Sequence, residues 1–381
     1  MDLFVFRHEK WEQMYNCSMR TDSEWYGYGR PNIGLGLYCL GIGSLYMVCS
    51  IPCLLVMVTS KQLRAHSSYK IMAFLTSLQV LSLVICCFIT GIMFLKGAVF
   101  CNYPRLLYFA GAAMFGLWEA NSLTCVILSL TRLIDFWEFH SLSQFYQGSR
   151  VFCWFIPPIM LGLFYFSNSY PALFSSAELN WLTDPYSSMP DIVHDPDLYN
   201  SPEGVYANIP FIISTGLLNL MIIVSVLWKA RASRSTNMSK LQRSVTIQAV
   251  VVCTLDCITS FTYEYMNYAP PSDVLTLFSL VVYQASCGVG GIIYLVFNKT
   301  IRTQLKITVL RITKKTTGVF VVPSITIQPA NNGLRAKGPF DAAIELKRSK
   351  MTLIPQDTKS ENAFKCPIKL KLSGSVLDGL K

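Results

Sequence analysis

Residues Leu106–Phe139 read LLYFAGAAMFGLWEANSLTCVILSLTRLIDFWEF. From Leu106 to Thr131 there is one charged residue, Glu119, and then Arg132, Asp135 and Glu138 follow in close order. An apolar run of this kind matches the roughly 20 residues that an α-helix needs to cross a bilayer core. The abrupt return of charge marks where such a helix meets water.

Composition extends that reading to the whole chain. Apolar residues make up 52% of the 381 positions and charged residues 14%, against about 25% charged in soluble domains. Seven runs have spanning length: Gly34–Thr59, Ile71–Leu95, Leu106–Thr131, Val151–Tyr170, Gly204–Trp228, Ser244–Asn267 and Val274–Phe297. The expected architecture is an all-α membrane protein, a seven-transmembrane helix bundle. It divides into an amino-terminal segment (1–33), the bundle (34–297), an amphipathic helix (298–315) and a mostly disordered tail (316–381).

Positive loops resist translocation, so lysine and arginine set orientation. The connections after spans one, three and five carry Lys61, Arg64, Lys70, Arg132, Arg150, Lys229, Arg231, Arg234, Lys240 and Arg243; those after spans two and six carry Lys96 and Arg105. The long connection Pro171–Ser201 has no basic residue, and the tail holds half of the 32 Lys and Arg. These counts place the amino terminus outside and the carboxyl terminus inside. Arg20 and Arg30 before the first span oppose this locally. Residues 1–33 lack the apolar core of a cleavable signal, so the first span is expected to direct insertion.

Of the 13 cysteines, most lie in the spans, where a thiol acts as a small apolar side chain. Cys17 and Cys101 fall in the expected outer segments, where oxidising conditions favour a bridge between them; the alternative is two free thiols. Asn16-Cys17-Ser18 is the one glycosylation sequon on that side, making Asn16 the expected sugar site. The acids of Pro171–Ser201 read as a solvated lid, or as a field that concentrates cationic ligands. NKTIRTQLKITVLRITKK after Phe297 reads as a helix lying along the inner leaflet, with membrane lipid as its partner.

No catalytic or metal-binding motif is present. The chain has no phosphate-cradling lysine loop, no His-x-x-x-His and no Gly-x-Ser-x-Gly elbow, and His8, His66, His140 and His194 all lie outside the spans. No enzyme activity, cofactor, metal or nucleic-acid partner is therefore expected. Gly34/Gly36 and Gly41/Gly43 suit close helix contact, as do Cys253 and Cys257 on one face of span six.

Two acids sit at mid-depth, Glu119 and Asp256, and a carboxylate there costs about 2.5–3.5 kcal/mol on insertion scales. No span interior offers a cation to pair with them. Trp118, Glu119 and Ser122 share part of one helix surface; Asp256, Ser260 and Tyr263 recur at helical steps on span six. These six are the candidate ligand-binding residues. The competing reading is that each ties helices together by interhelical hydrogen bonds.

Three stretches carry a resemblance: YNCS at Tyr15–Ser18, the pair Thr131-Arg132, and GGIIYLVFNKTIR at Gly290–Arg302. The chain resembles the nematode serpentine receptor class T chemoreceptors, G-protein-coupled and seven-spanning, over roughly residues 11–310. The resemblance implies a small-molecule ligand, a heterotrimeric G protein as partner, and the plasma membrane of sensory cilia. It also assigns Arg132 and Tyr294 to G-protein coupling, with Gly291 standing where the larger rhodopsin-like group has proline. Several features depart from that group. Thr131 replaces the acid that would restrain Arg132, leaving Asp135 or Glu138 as resting partners, and span six lacks a Cys-Trp-x-Pro switch. Leu75–Gln79 holds no aspartate for a sodium site, and the loop after span four lacks a cysteine. A transporter or ligand-gated channel is the alternative function, against which stands the lack of an internal repeat.

Overall fold

The computed structural model describes residues 1–199, 202–232, 240–266 and 272–317, without the side chains of 202–207, 229–232, 240–245 and 312–317. The expected tail beyond Thr317 and Arg234 lie outside the described residues, as do the side chains of Lys229, Arg231, Lys240 and Arg243. Seven helices are long and apolar enough to cross a membrane: Ile33–Thr59, Ser67–Lys96, Pro104–Phe136, Arg150–Asn168, Asn208–Trp228, Thr246–Met266 and Asp273–Phe297. The chain is an integral multi-pass membrane protein with a serpentine bundle.

Each expected span is present, with informative changes at the ends. The first begins at Ile33 because the Asn32 side chain accepts a hydrogen bond from Leu35 N (2.9 Å), a standard N-cap. The third continues to Phe136, five residues beyond the expected Thr131. Charge does not end that helix, because Arg132 and Asp135 stand at an i,i+3 spacing where they pair (3.7 Å). Arg132 is thus a buried helical residue and not the first residue of a loop. The second span is interrupted by a π-helical stretch, Val84–Ile89, which the apolar pattern did not announce. Thr90 there donates its hydroxyl to Ile85 O (3.0 Å). Following the seventh span, helix Lys299–Thr317 appears where the amphipathic stretch is expected.

The end of the bundle carrying the amino terminus is covered. Three short helices, Asp2–Phe6, His8–Met14 and Asp22–Tyr28, precede the first span. Cys17 and Cys101 form a disulfide, with Cα atoms 5.3 Å apart, that fastens this cover to the approach to the third span. Phe4, Trp11 and Tyr15 of the cover pack ring against ring with one another and with Tyr108 of the third span.

The long connection after span four is not the solvated lid its acids suggested. Its first half folds into a hairpin of β1 (Leu173–Ser175) and β2 (Asn180–Leu182), antiparallel, with Phe174 opposite Trp181. Leu173, Phe174, Asn180 and Trp181 are buried. The apolar side chains drive this: Phe174 packs on Phe94 (5.0 Å between centroids), and Trp181 Nε1 donates to Thr90 Oγ1 (2.9 Å). Two of the connection's acids have partners. Asp184 pairs with His194, and Asp191 with Arg20 and the Tyr28 hydroxyl.

Half of the expected glycine contacts are real. A methyl on Gly43 would stand 2.5 Å from Cys87 Cβ, and one on Gly36 would stand 2.7 Å from the Leu95 side chain, whereas Gly41 has open space. Replacing Gly43 with valine is therefore expected to destabilise the purified protein by about 1–3 kcal/mol, while Gly41→Val leaves its thermal unfolding unchanged. Equal shifts for the two would contradict the packing. Mapping of non-reduced peptides should recover Cys17 joined to Cys101; alkylation of both thiols without reduction would refute the bridge.

Candidate functional site

The bundle interior is polar at three levels, set along the third span by Trp118, Cys125 and Arg132. Each step is seven residues, so successive levels lie about 10 Å apart on one helix face.

At the first level, aromatic rings from four elements converge. Trp118 packs edge-on against Tyr283 of the seventh span (5.5 Å) and Phe211 of the fifth (6.4 Å), and Tyr283 packs against Tyr263 of the sixth (6.2 Å). Trp118 Nε1 donates to Asn208 Oδ1 (3.1 Å). The hairpin closes this level from above: Asn180 Nδ2 donates to Ser279 Oγ (2.7 Å) and Thr276 O (3.1 Å), and Tyr263 Oη donates to Asn180 Oδ1 (3.3 Å). Trp118 and Tyr263, chosen from sequence, thus meet through Tyr283.

One level deeper, Cys125 Sγ donates to Asp256 Oδ2 (2.8 Å), and Cys253 Sγ contacts Cys125 O (3.6 Å). Asp256 is fully buried, so the thiol supplies part of the stabilisation that water would otherwise give the carboxyl group. Glu119, Ser122 and Ser260 are also buried, and Glu119 Oε1, Ser122 Oγ and Ser260 Oγ have no hydrogen-bonding partner. An interior polar atom left without a partner is costly and rare in native proteins. Several such atoms lie on spans three and six close in sequence to Trp118 and Tyr263. None of these three atoms hydrogen-bonds to the aromatic cluster. Among the described residues, no group of acids, cysteines or histidines is arranged to hold a metal ion.

The third level holds Arg132, only 6% exposed. Its Nη1 stands 3.7 Å from Asp135 Oδ2. Asp135 is braced in turn by Tyr146 Oη (2.6 Å to Oδ1) and Ser68 Oγ (3.5 Å to Oδ2). Tyr69, Tyr146 and Tyr294 are further electrostatic neighbours of the guanidinium, whose Nε and Nη2 have no hydrogen-bond acceptor. Of the two acids offered by sequence, Asp135 is the one that pairs with Arg132. Glu138 lies exposed at a left-handed backbone position, φ 54°.

Beside this pair, Asn298 joins three spans: its Nδ2 donates to Gln248 Oε1 (3.2 Å) and Tyr69 Oη (3.3 Å). The glycine in GGIIY also has a physical reason. A Cβ on Gly291 would meet Ser50 N at 2.7 Å, so the first and seventh spans touch backbone to backbone there.

Sequence reasoning missed Tyr283, Asn208, Phe211 and Asn180. Tyr283 interrupts an apolar run and could have been singled out, because a mid-span tyrosine needs a polar partner. Asn180 carried no signal, since nothing in the loop's composition says that it enters the bundle. The sequon at Asn16 has Ser18 donating both N (2.9 Å) and Oγ (2.7 Å) to Asn16 Oδ1, a local turn at the surface.

Comparison with known proteins bears on the whole bundle. The family model described as serpentine type 7TM GPCR chemoreceptor Srt matches residues 2–317. Serpentine receptor class T-55 of Caenorhabditis elegans is similar, 25% identical over 330 residues that cover 84% of this chain and 87% of that protein. The match takes in the disulfide, the aromatic level, the Cys125–Asp256 level and the Arg132 level alike, and by it the chain belongs to the Srt family of serpentine seven-transmembrane chemoreceptors.

Proposed function

We propose that this chain is a G-protein-coupled chemosensory receptor with its amino terminus outside the cell. A small external molecule binds among Trp118, Tyr263, Tyr283 and the buried polar atoms of Glu119, Ser122, Asp256 and Ser260. Binding shifts the population of bundle states toward one that releases Arg132 to a heterotrimeric G protein. The state described here is then the resting one.

The observation that carries the reading is the Arg132–Asp135 pair. A cation buried at the foot of a span, held by a single acid and leaving two of its nitrogens without acceptors, is incompletely satisfied. Such a group gains when another chain supplies acceptors. Tyr294 and Tyr69 stand beside it and would stabilise an opened crevice. The positive charge of the odd-numbered loops supports placing this end in the cytoplasm.

The test uses the full chain in nanodiscs with an odorant panel and added Gα. An active odorant should accelerate nucleotide exchange; agonist-dependent flux without exchange would replace this reading with a transporter or channel. Asp135→Asn removes the resting partner and is expected to raise basal exchange about fivefold or more. Arg132→Ala should abolish exchange at normal surface expression, and unchanged signalling in that variant would make Arg132 a packing residue only.

For the ligand level, Ser260→Ala deletes a hydroxyl that no protein group uses. It is expected to leave thermal stability unchanged and to weaken agonist potency about tenfold. Unaltered potency would remove Ser260 from the site.

A further inference from the structure

Near the end of the sixth span stands a further acid, Glu264, which takes no part in the contacts described above. It is 7% exposed, and neither its Oε1 nor its Oε2 has a hydrogen-bonding partner. A carboxyl group buried with both oxygens idle has lost water and gained nothing from the protein.

Its depth follows from the Cys125–Asp256 contact, where the third and sixth spans meet. Span three runs away from the covered end of the bundle and span six runs toward it. Six residues back from Cys125 is Glu119, about 9 Å nearer that end, and eight residues on from Asp256 is Glu264, about 12 Å nearer it. Trp118 and Tyr263, which meet through Tyr283, each lie seven residues from the same contact. Glu119, Glu264 and the aromatic rings therefore share one level.

Helical rotation gives the side. Glu264 stands about three turns above Cys253, whose thiol touches Cys125 O of span three, and one turn above Ser260. Thr259, on the other flank, donates to Val282 O of span seven (3.4 Å). Glu264 thus lies on the flank of span six turned to span three.

Nothing positive meets these acids. Arg132 is the one buried lysine or arginine among the described residues; it lies about 20 Å from Glu119 along span three and pairs with Asp135. None of Glu119, Asp256 and Glu264 enters an ion pair among the described residues. Nor are three acids, cysteines or histidines arranged there to share a metal ion. The cation that fits is therefore organic. Trp118, Tyr263 and Tyr283 bring aromatic rings, whose faces attract positive charge, and the idle Ser122 and Ser260 hydroxyls add acceptors for N–H groups.

We propose that the bundle site takes a small organic amine with an apolar or aromatic body, and that Glu264 selects its charge. The inference rests on the ligand site placed in the bundle under Proposed function. The ammonium pairs with Glu264, Glu119 adds to the negative potential, and the body packs among Trp118, Tyr263 and Tyr283. A neutral molecule of the same shape leaves the acids without a counter-charge, and an organic acid adds repulsion.

Three probes with one body test this: 2-phenylethylamine, 2-phenylethanol and phenylacetate. Binding to the full chain in phosphatidylcholine nanodiscs is read by saturation-transfer NMR at about pH 7, where the amine is protonated and the acid ionised, with empty nanodiscs as the blank. The amine should bind saturably, and the alcohol and the acid at least about tenfold more weakly. Glu264→Gln should weaken the amine about tenfold and leave the alcohol unchanged. It should not lower the unfolding temperature, because the carboxyl group has no partner to lose. Ser260→Ala should weaken the amine as well, which places it in the bundle.

Absence of amine binding would overturn the proposal, as would amine binding indifferent to Glu264→Gln or to Ser260→Ala. Alcohol and amine binding equally well, both weakened by Ser260→Ala, would reject the charge assignment while keeping the bundle site. A lowered unfolding temperature in Glu264→Gln, with amine and alcohol lost alike, would make Glu264 a structural residue. Selective amine binding without nucleotide exchange on Gα would support this site and count only against the signalling reading.

Discussion

Water is absent from the hydrocarbon core of a bilayer, so each polar group in the bundle has to find its partner within the chain. That constraint explains the regular parts of the structure and the irregular ones. Long helices satisfy their own backbone. Where the second span departs from α-geometry at Val84–Ile89, the Thr90 hydroxyl covers Ile85 O and is itself engaged by Trp181 of the hairpin. Asn180, fully buried, spends its amide on Ser279, Thr276 and Tyr263. The hairpin is therefore part of the bundle's hydrogen bonding, tied to the second, sixth and seventh spans.

The same constraint identifies the places where the chain does not satisfy itself. Glu119 Oε1, Ser122 Oγ and Ser260 Oγ lack partners in the middle of the bundle, and Arg132 Nε and Nη2 lack them at its foot. A chain with 52% apolar residues had ample means to fill those positions with packing side chains. Polar groups kept at such cost fit sites completed by another molecule: a ligand in the first case, a protein in the second. Between them lies Asp256, held by Cys125 on the same face of span three that carries Trp118 above and Arg132 below. That continuity gives a physical route for coupling, because a rotation of span three moves all three levels together.

Much of this was legible in the sequence because hydrophobic length and charge report directly on the bilayer. The seven spans, the Cys17–Cys101 bridge and the buried acids follow from where apolar runs stop and which cysteines remain outside them. Resemblance to the Srt family, which the family match bears out, added Arg132 and Tyr294 as expectations. What stayed hidden depends on contacts distant in sequence. Phe174 and Trp181 look like ordinary loop residues until Phe94 and Thr90 are placed beneath them. The end of span three was misplaced for a different reason: charge was taken as an exit to water, although Asp135, Tyr146 and Ser68 make a buried setting for it. Of the paired glycines, spacing alone could not separate Gly43, pressed on Cys87, from Gly41, which faces open space.

The central claim is that the Arg132–Asp135 pair, braced by Tyr146, is the resting lock of a G-protein-coupled receptor. Its most direct test is hydrogen exchange of the loop backbone at Ser143–Gly148, comparing the full chain in nanodiscs alone and with excess nucleotide-free G-protein heterotrimer. In the structure Tyr146 N donates to Ser143 O (3.3 Å) while its hydroxyl holds Asp135. Engagement of Arg132 should free Asp135 and Tyr146 together, so the account predicts faster exchange at these amides when the heterotrimer binds. Binding of the heterotrimer with protection there unchanged would contradict it.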